Sequence, residues 1–234
     1  METILDKTNI ITPILVILTY LSAFKNGKPT CDRYLINNFL YLMTFISIYL
    51  LSIKKLDDLN IEYSTTRSIV SVFLLLGALY LYYSSQNIFL KHLSWVIVVF
   101  TLAYSSKKLY DNYGKEDINK VLVKLMMVLA LCIAFAVLFP NLIKPKMEII
   151  LLFALFVAIL FRIIDYFFMD KKYDSVISTI IIMIFSGFMV YDTDRVLKLK
   201  KLCSDSGRSA DYLMNISNMF LNILNLFNTM LGQD

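Results

Sequence analysis

One carboxylate and a stripe of amides stand where so apolar a chain would be expected to hold neither. Asp192 follows the apolar run Ser175–Tyr191, with Asp194 and Arg195 just beyond it. In the last apolar segment Asn215, Asn218, Asn222 and Asn225 are spaced 3, 4 and 3, and Thr229 continues the series. At 100° per residue these positions fall within an arc of about 80° on a helix. Such a stripe avoids lipid, so it faces either other helices, as hydrogen-bonding glue, or water, as the wall of a hydrophilic pathway. Asp192 also has two readings. It closes its helix at the interface, a poor place because a helix C-terminus carries partial negative charge, or the helix continues and Asp192 lies inside a bundle with Arg195 at i+3. A third feature is Arg162 and Asp165, at i,i+3 on one face of the sixth segment. They read as a self-neutralising pair or as the lining of a polar cavity. Lys91, Lys124 and Glu148 fall near segment ends, where side chains reach the interface, and they take no role.

The elements that must position these groups follow from composition. The chain has 234 residues, 58% hydrophobic and only 18% charged, with a mean hydropathy of +0.66. Its apolar residues lie in long unbroken blocks, which excludes a soluble globular domain, a disordered chain and, with no alternating short segments, a β-barrel. The net charge of +5 is spread over many loops, which suits anionic lipid and indicates no nucleic-acid partner. Eight apolar segments are expected, at 9–24, 34–53, 66–84, 88–106, 119–139, 147–169, 174–193 and 210–231. About 20 helical residues cross the hydrocarbon core, so the fold class is all-α: a polytopic membrane helical bundle of seven to eight transmembrane helices in a single domain, 1–234. The first segment reads as a retained helix, because the residues before it include Glu2 and Asp6 and no small-residue cleavage site follows. Segments three and four, separated by Ser85-Gln86-Asn87, form a tight hairpin or a less regular element. Basic residues divide almost evenly between alternate loops and define no orientation.

Other chemistries lack their residues. The single histidine, His92, cannot build a His-rich metal site, and no CxxC spacing suggests zinc. Tyr191-Asp192 has no partner Gly-x-Gly-Asp for an intramembrane aspartyl protease, and no G-x-S-G accompanies the histidine. No Gly-rich phosphate loop occurs, so neither an enzyme nor a protein cofactor is expected. A secondary transporter would show helices broken by Gly or Pro near mid-membrane, and this chain has few of either there.

Two stretches carry a family resemblance. Phe185-Ser186-Gly187-Phe188-Met189-Val190-Tyr191-Asp192-Thr193-Asp194 is followed by Asn218-Met219-Phe220-Leu221-Asn222-Ile223-Leu224-Asn225-Leu226-Phe227. In this order they resemble the last two helices of the transmembrane Bax inhibitor motif family, with its patterns F-S-G-Y-I-x-Y-D-T-Q and L-N-L-Y-L-D-I-I-N-L-F. The resemblance implies seven helices, a calcium or other cation leak with calcium as the permeant ion, and suppression of apoptosis. It implies endoplasmic-reticulum or Golgi membranes in a eukaryotic or viral setting and the plasma membrane in a bacterial one, with the lipid bilayer and apoptosis-related membrane proteins as partners. Family members carry two aspartates in these helices that share a proton and gate the pathway. The first matches Asp192 and the second falls on Asn222, so this chain has one titratable group where the family has two. The implied pathway is then Asp192, Asn222, Asn218 and Asn225, with Arg195, Arg67, Asp194, Arg162 and Asp165 as candidate charge partners. The alternative is a non-conducting membrane protein that modulates cell death through partners.

Overall fold

The computed structural model describes residues 4–62, 64–206 and 210–233. Each of the eight expected segments holds one helix: α1 (Ile4–Ala23), α2 (Tyr34–Asp58), α3 (Thr65–Ser84), α4 (Ile88–Tyr110), α5 (Lys115–Leu138), α6 (Met147–Phe168), α7 (Asp174–Ser206) and α8 (Tyr212–Leu231). Six of them, α2 to α7, are long and apolar enough among the described residues to cross a membrane. Helix α6 shows why the medium must be lipid. Phe153, Phe156, Phe161 and Phe167 are all more than half exposed along it, a patch that water would not tolerate on a stable monomer.

Boundaries moved where the sequence offered no stop. Helix α1 begins at Ile4, not residue 9, and Pro13 lies inside it. Helix α7 does not end at 193 but runs for 33 residues, because after Gly187 neither Gly nor Pro occurs before Gly207. At 1.5 Å per residue that is about 50 Å, well beyond the hydrocarbon core. Asp192 is therefore an internal residue of its helix, not a terminal one. The Ser85-Gln86-Asn87 link is a tight hairpin. Asn87 caps α4 by accepting from the backbone N–H groups of Phe89 and Leu90 at 2.9 and 3.3 Å. Among the described residues the only strands form a minimal hairpin, β1 (Phe24–Lys25) with β2 (Lys28–Pro29), turned by Asn26 and Gly27 at φ 53° and 74°. That is the Asn-Gly turn for which positive φ at both positions is required.

The chain divides into two compact units, residues 1–119 with 211–213, and 120–210 with 214–234. In the first unit α1 packs on α2, α2 on α4 and α4 on α3. Hydroxyls bind α1 to α2: Thr12 to Ser47 at 2.5 Å and Thr19 to Thr44 at 2.7 Å, between side chains that are buried. Such contacts hold helices together where lipid offers no competing hydrogen bonds. Asn37 is fully buried and satisfied. It accepts from Ser22 Oγ at 2.5 Å and donates to the Asp32 carbonyl at 2.8 Å and to Tyr212 Oη at 3.1 Å. Tyr212 in turn donates to the Thr30 carbonyl.

A buried ammonium closes one end of this unit. Lys107, with a side chain only 7% exposed, pairs with Asp111 at 2.5 Å and faces Asp57 at 3.7 Å. Removing the nearer carboxylate leaves a desolvated cation with one distant partner. The Asp111→Asn variant is expected to lose about 2 kcal/mol of stability, and Lys107→Met, which removes the charge itself, is expected to lose less. Thermal unfolding of the two purified variants ranks them. The reverse order would show that the ion pair does not control this corner.

In the second unit α6 runs antiparallel to α7, with Leu151 against Gly187 at one level and Asp165 against Tyr173 at another. Helix α5 touches α7 where Cys132 Sγ donates to the Ser186 carbonyl at 3.5 Å. Helix α8 is also antiparallel to α7, tied at its end by Gln233 Nε2 donating to the Ser175 carbonyl at 3.0 Å. Its apolar face, with Ile216, Met219, Phe220, Ile223 and Phe227, is buried.

Candidate functional site

Asp192 and Asn222 meet. The Asn222 amide Nδ2 donates to Asp192 Oδ2 at 2.7 Å, the short distance of a charge-assisted bond. Asp192 is brought there by α7 continuing past it, and Asn222 by the buried apolar face of α8, which turns the amide stripe to the other side. Asp192 is 6% exposed and its neighbour Thr193 is 1% exposed, its hydroxyl turned back to the Met189 carbonyl at 2.8 Å.

The contact borders a cavity of about 340 Å³, lined on its polar side by Glu148, Tyr191, Asp192, Asn218, Asn222 and Asn225. Asn218 and Asn225 are exposed and Asn222 half-buried. Asn218 and Asn225 line the cavity, while Asn222 both lines it and bonds across to α7. Among these cavity-lining amides only Asn222 bonds to a side chain on another helix.

The other expected residues take structural positions. Asp194 is buried and paired with Lys198 one turn on, at 2.5 Å. Arg195 is exposed and, among the described residues, forms no ion pair with Asp192. Arg67 belongs to the other unit, where it donates to the Glu62 carbonyl at 3.4 Å. Arg162 and Asp165 do not neutralise each other as the i,i+3 spacing suggested. The guanidinium reaches across to Asp174 at the start of α7, at 3.2 Å, because that carboxylate lies within its longer reach. Asp165, buried, accepts from the Tyr173 N–H at 3.0 Å and so holds the α6–α7 turn. It borders an apolar cavity of about 780 Å³ rather than a polar one. His92 shares a hydrogen bond with Tyr41 at 3.0 Å. No group of three or more His, Cys, Asp or Glu able to hold a metal occurs among the described residues.

Glu148 is the cavity residue that sequence reasoning passed over. Its place in the first turn of α6 gives it the ordinary role of a helix N-terminal acid, and nothing local marks it as a neighbour of Asp192.

Gly187, one turn before Tyr191, sets the spacing of the site. A Cβ built on it would lie 2.8 Å from Leu151 Cδ2, so its bare backbone is what lets α6 approach α7. Gly187→Ala requires only the Leu151 side chain to shift. Gly187→Leu is expected to push the helices apart and cost about 1–3 kcal/mol, read as a lowered unfolding temperature. Equal melting of the leucine variant and the wild type would refute the close packing.

Long apolar helices and a carboxylate–amide contact beside a polar cavity define an integral membrane protein with a polar centre in one helical unit. The family model described as Inhibitor of apoptosis-promoting Bax1 matches residues 31–232, nearly the whole chain, and the protein belongs to that family. No curated protein and no solved structure matches it.

Proposed function

We propose that the protein is a cation leak of the Bax-inhibitor type, passing calcium and suppressing cell death, with Asp192 as the pathway carboxylate. The observation that carries this reading is a buried carboxylate on a polar cavity whose amide lining lies within a family-matched helix pair. Asn222 holds one Asp192 oxygen, while Asn218 and Asn225 present amides along the same wall. A cation arriving there meets fixed oxygen dipoles and a negative charge, the ligands that hard cations prefer. Endoplasmic-reticulum or Golgi membranes, or the plasma membrane in a bacterium, are the compartments that go with this reading, and apoptosis-related membrane proteins are its partners.

The test is reconstitution of the full chain into liposomes containing a calcium-sensitive dye. Protein-dependent calcium entry supports the leak. Vesicles that stay dark while the same protein protects cells from apoptosis overturn it. That second outcome belongs to a specific alternative, a non-conducting family member acting through partners. The feature favouring it is Asn222 itself, which leaves the contact between these helices with one acid where the family pattern has two.

A further inference from the structure

We propose that the apolar groove between α6 and α7 binds one membrane phospholipid, its acyl chains along the groove and its phosphate at Lys171 and Lys172. The site lies outside the Asp192 cavity and stands whether or not that cavity conducts.

Contacts at its two ends build the groove. At one end Leu151 is seated on Gly187, whose missing Cβ lets the helices meet. At the other end Asp165 draws in the turn. Its Oδ1 accepts from the Tyr173 N–H at 3.0 Å, and its carbonyl accepts from the Lys171 N–H at 3.1 Å. Between those contacts α6 offers Ala154 and Ala158, too small to fill the space against Ile177 and Ile184 of α7. The result is a groove of about 780 Å³ lined by apolar side chains, with Asp165 and Tyr173 at the turn end as its polar members. Phe161, Val176 and Met183 on its walls are each more than half exposed, so the groove is reached from the lipid-facing surface.

Length selects the occupant. The turn between α6 and α7 carries Asp170, Lys171 and Lys172 and joins two long apolar helices, so it belongs at the membrane interface. From Asp165 to Leu151 α6 rises about 21 Å. A groove that begins at the interface and closes there covers one leaflet of a roughly 30 Å hydrocarbon core, not both. That fits the chains of a lipid in one leaflet. A partner helix packs along the whole core. A cylinder of about 10 Å diameter over that length would fill about 1,600 Å³, twice the groove.

Apolar contact alone would not hold a lipid here, because the surrounding bilayer is as apolar as the groove. Retention has to come from the headgroup, and the turn carries the charge for it. Lys171 and Lys172 are exposed and form no ion pair among the described residues. Each ammonium is held over an aromatic ring, Lys171 over Tyr166 at 5.2 Å and Lys172 over Tyr173 at 5.4 Å. Tyr173 lines the groove, so the Lys172 charge stands at its mouth. Of the nearby acids, Arg162 engages Asp174 at 3.2 Å and the Tyr173 N–H engages Asp165, which leaves Asp170 against two lysines. The mouth therefore favours a phosphate, and the start of α7 adds its partial positive charge.

The test is native mass spectrometry of the purified full chain in detergent. The protein is titrated with phosphatidylglycerol or with diacylglycerol, which has the same chains without the phosphate. The wild type is expected to retain one phosphatidylglycerol and to bind it more tightly than diacylglycerol. Lys171→Gln together with Lys172→Gln is expected to weaken phosphatidylglycerol binding by about 20–30-fold, roughly fivefold for each lysine. Both side chains are exposed, so this variant keeps the fold. Ala158→Phe, which fills the groove, is expected to remove the bound lipid although both lysines remain. Should Ala158→Phe fold poorly, Ile180→Trp blocks the groove from a more exposed lining position. Equal retention of the two lipids by the wild type overturns the site, as does wild-type binding in the lysine variant or in a folded groove-filling variant. A lipid-free dimer that a groove-filling variant dissociates also overturns it and gives the groove to a second copy of the chain.

Discussion

Replacing Asp192 by alanine is expected to lower calcium flux in reconstituted vesicles by roughly tenfold to hundredfold. The size follows from what a fixed charge does in a low-dielectric channel: it focuses the field and raises the local cation concentration by about that factor. Asp192 is buried, with an uncharged amide as its one hydrogen-bonded partner among the described residues, and the exposed Arg195 one turn on forms no ion pair with it. Asp194 offers no substitute, because Lys198 already occupies it. Alanine also frees the Asn222 amide, which costs stability on its own, so Asp192→Asn is the necessary companion. It keeps the shape and a hydrogen-bonding oxygen while removing the charge. Both variants should lose flux, and only the alanine variant should lose appreciable stability. Flux equal to wild type in both would eliminate Asp192 from the pathway.

The second large effect comes from restoring the acid that the family pattern places on α8. Asn222→Asp replaces an amide donor by a carboxyl group 2.7 Å from Asp192 Oδ2. Two carboxylates that close cannot both ionise cheaply, so the variant must keep a proton between them or suffer repulsion. The sign is fixed by linkage. At low pH the shared proton replaces the lost amide hydrogen bond and the variant resembles the wild type. As pH rises, that proton leaves the unfolded chain more readily than the folded one, so folding binds the extra proton and stability falls. The variant is expected to lie close to wild type near pH 5 and to be less stable by roughly 2–4 kcal/mol near pH 8. Melting temperatures across that range measure it. A difference between variant and wild type that does not change with pH would mean the two side chains are not in contact.

Part of this was visible in the residues. The asparagine stripe occupies one arc because helix geometry is local: spacings of 3 and 4 fix a face with no knowledge of the neighbours. Asp192 and Asn222 could be matched as partners because each sits in a recognisable motif. Other features were invisible for equally definite reasons. Arg162 and Asp165 share a face, but a guanidinium on a long flexible stem bonds whatever carboxylate comes within reach, and Asp174 arrives from another helix. The end of α7 was misplaced because a drop in hydropathy after Tyr191 marks the limit of an apolar run, not of a hydrogen-bonded helix. Gly187 was legible as part of a pattern, while its purpose, the approach of Leu151, belongs to a residue 36 positions earlier.

The sequence by itself determined the medium, the eight helical segments, the family, and the face on which α8 carries its amides. The medium, the segments and the amide face depend on composition or on a repeat within one segment, and the family on the resemblance of two motifs taken in order along the chain. Tertiary structure alone decided that the amide face opens on a cavity, that Asp192 is internal to its helix and bonded to Asn222, and that Glu148 lines the same cavity. Those depend on the register between helices. Register is set by packing, such as Leu151 seated on Gly187, which no one-dimensional spacing encodes.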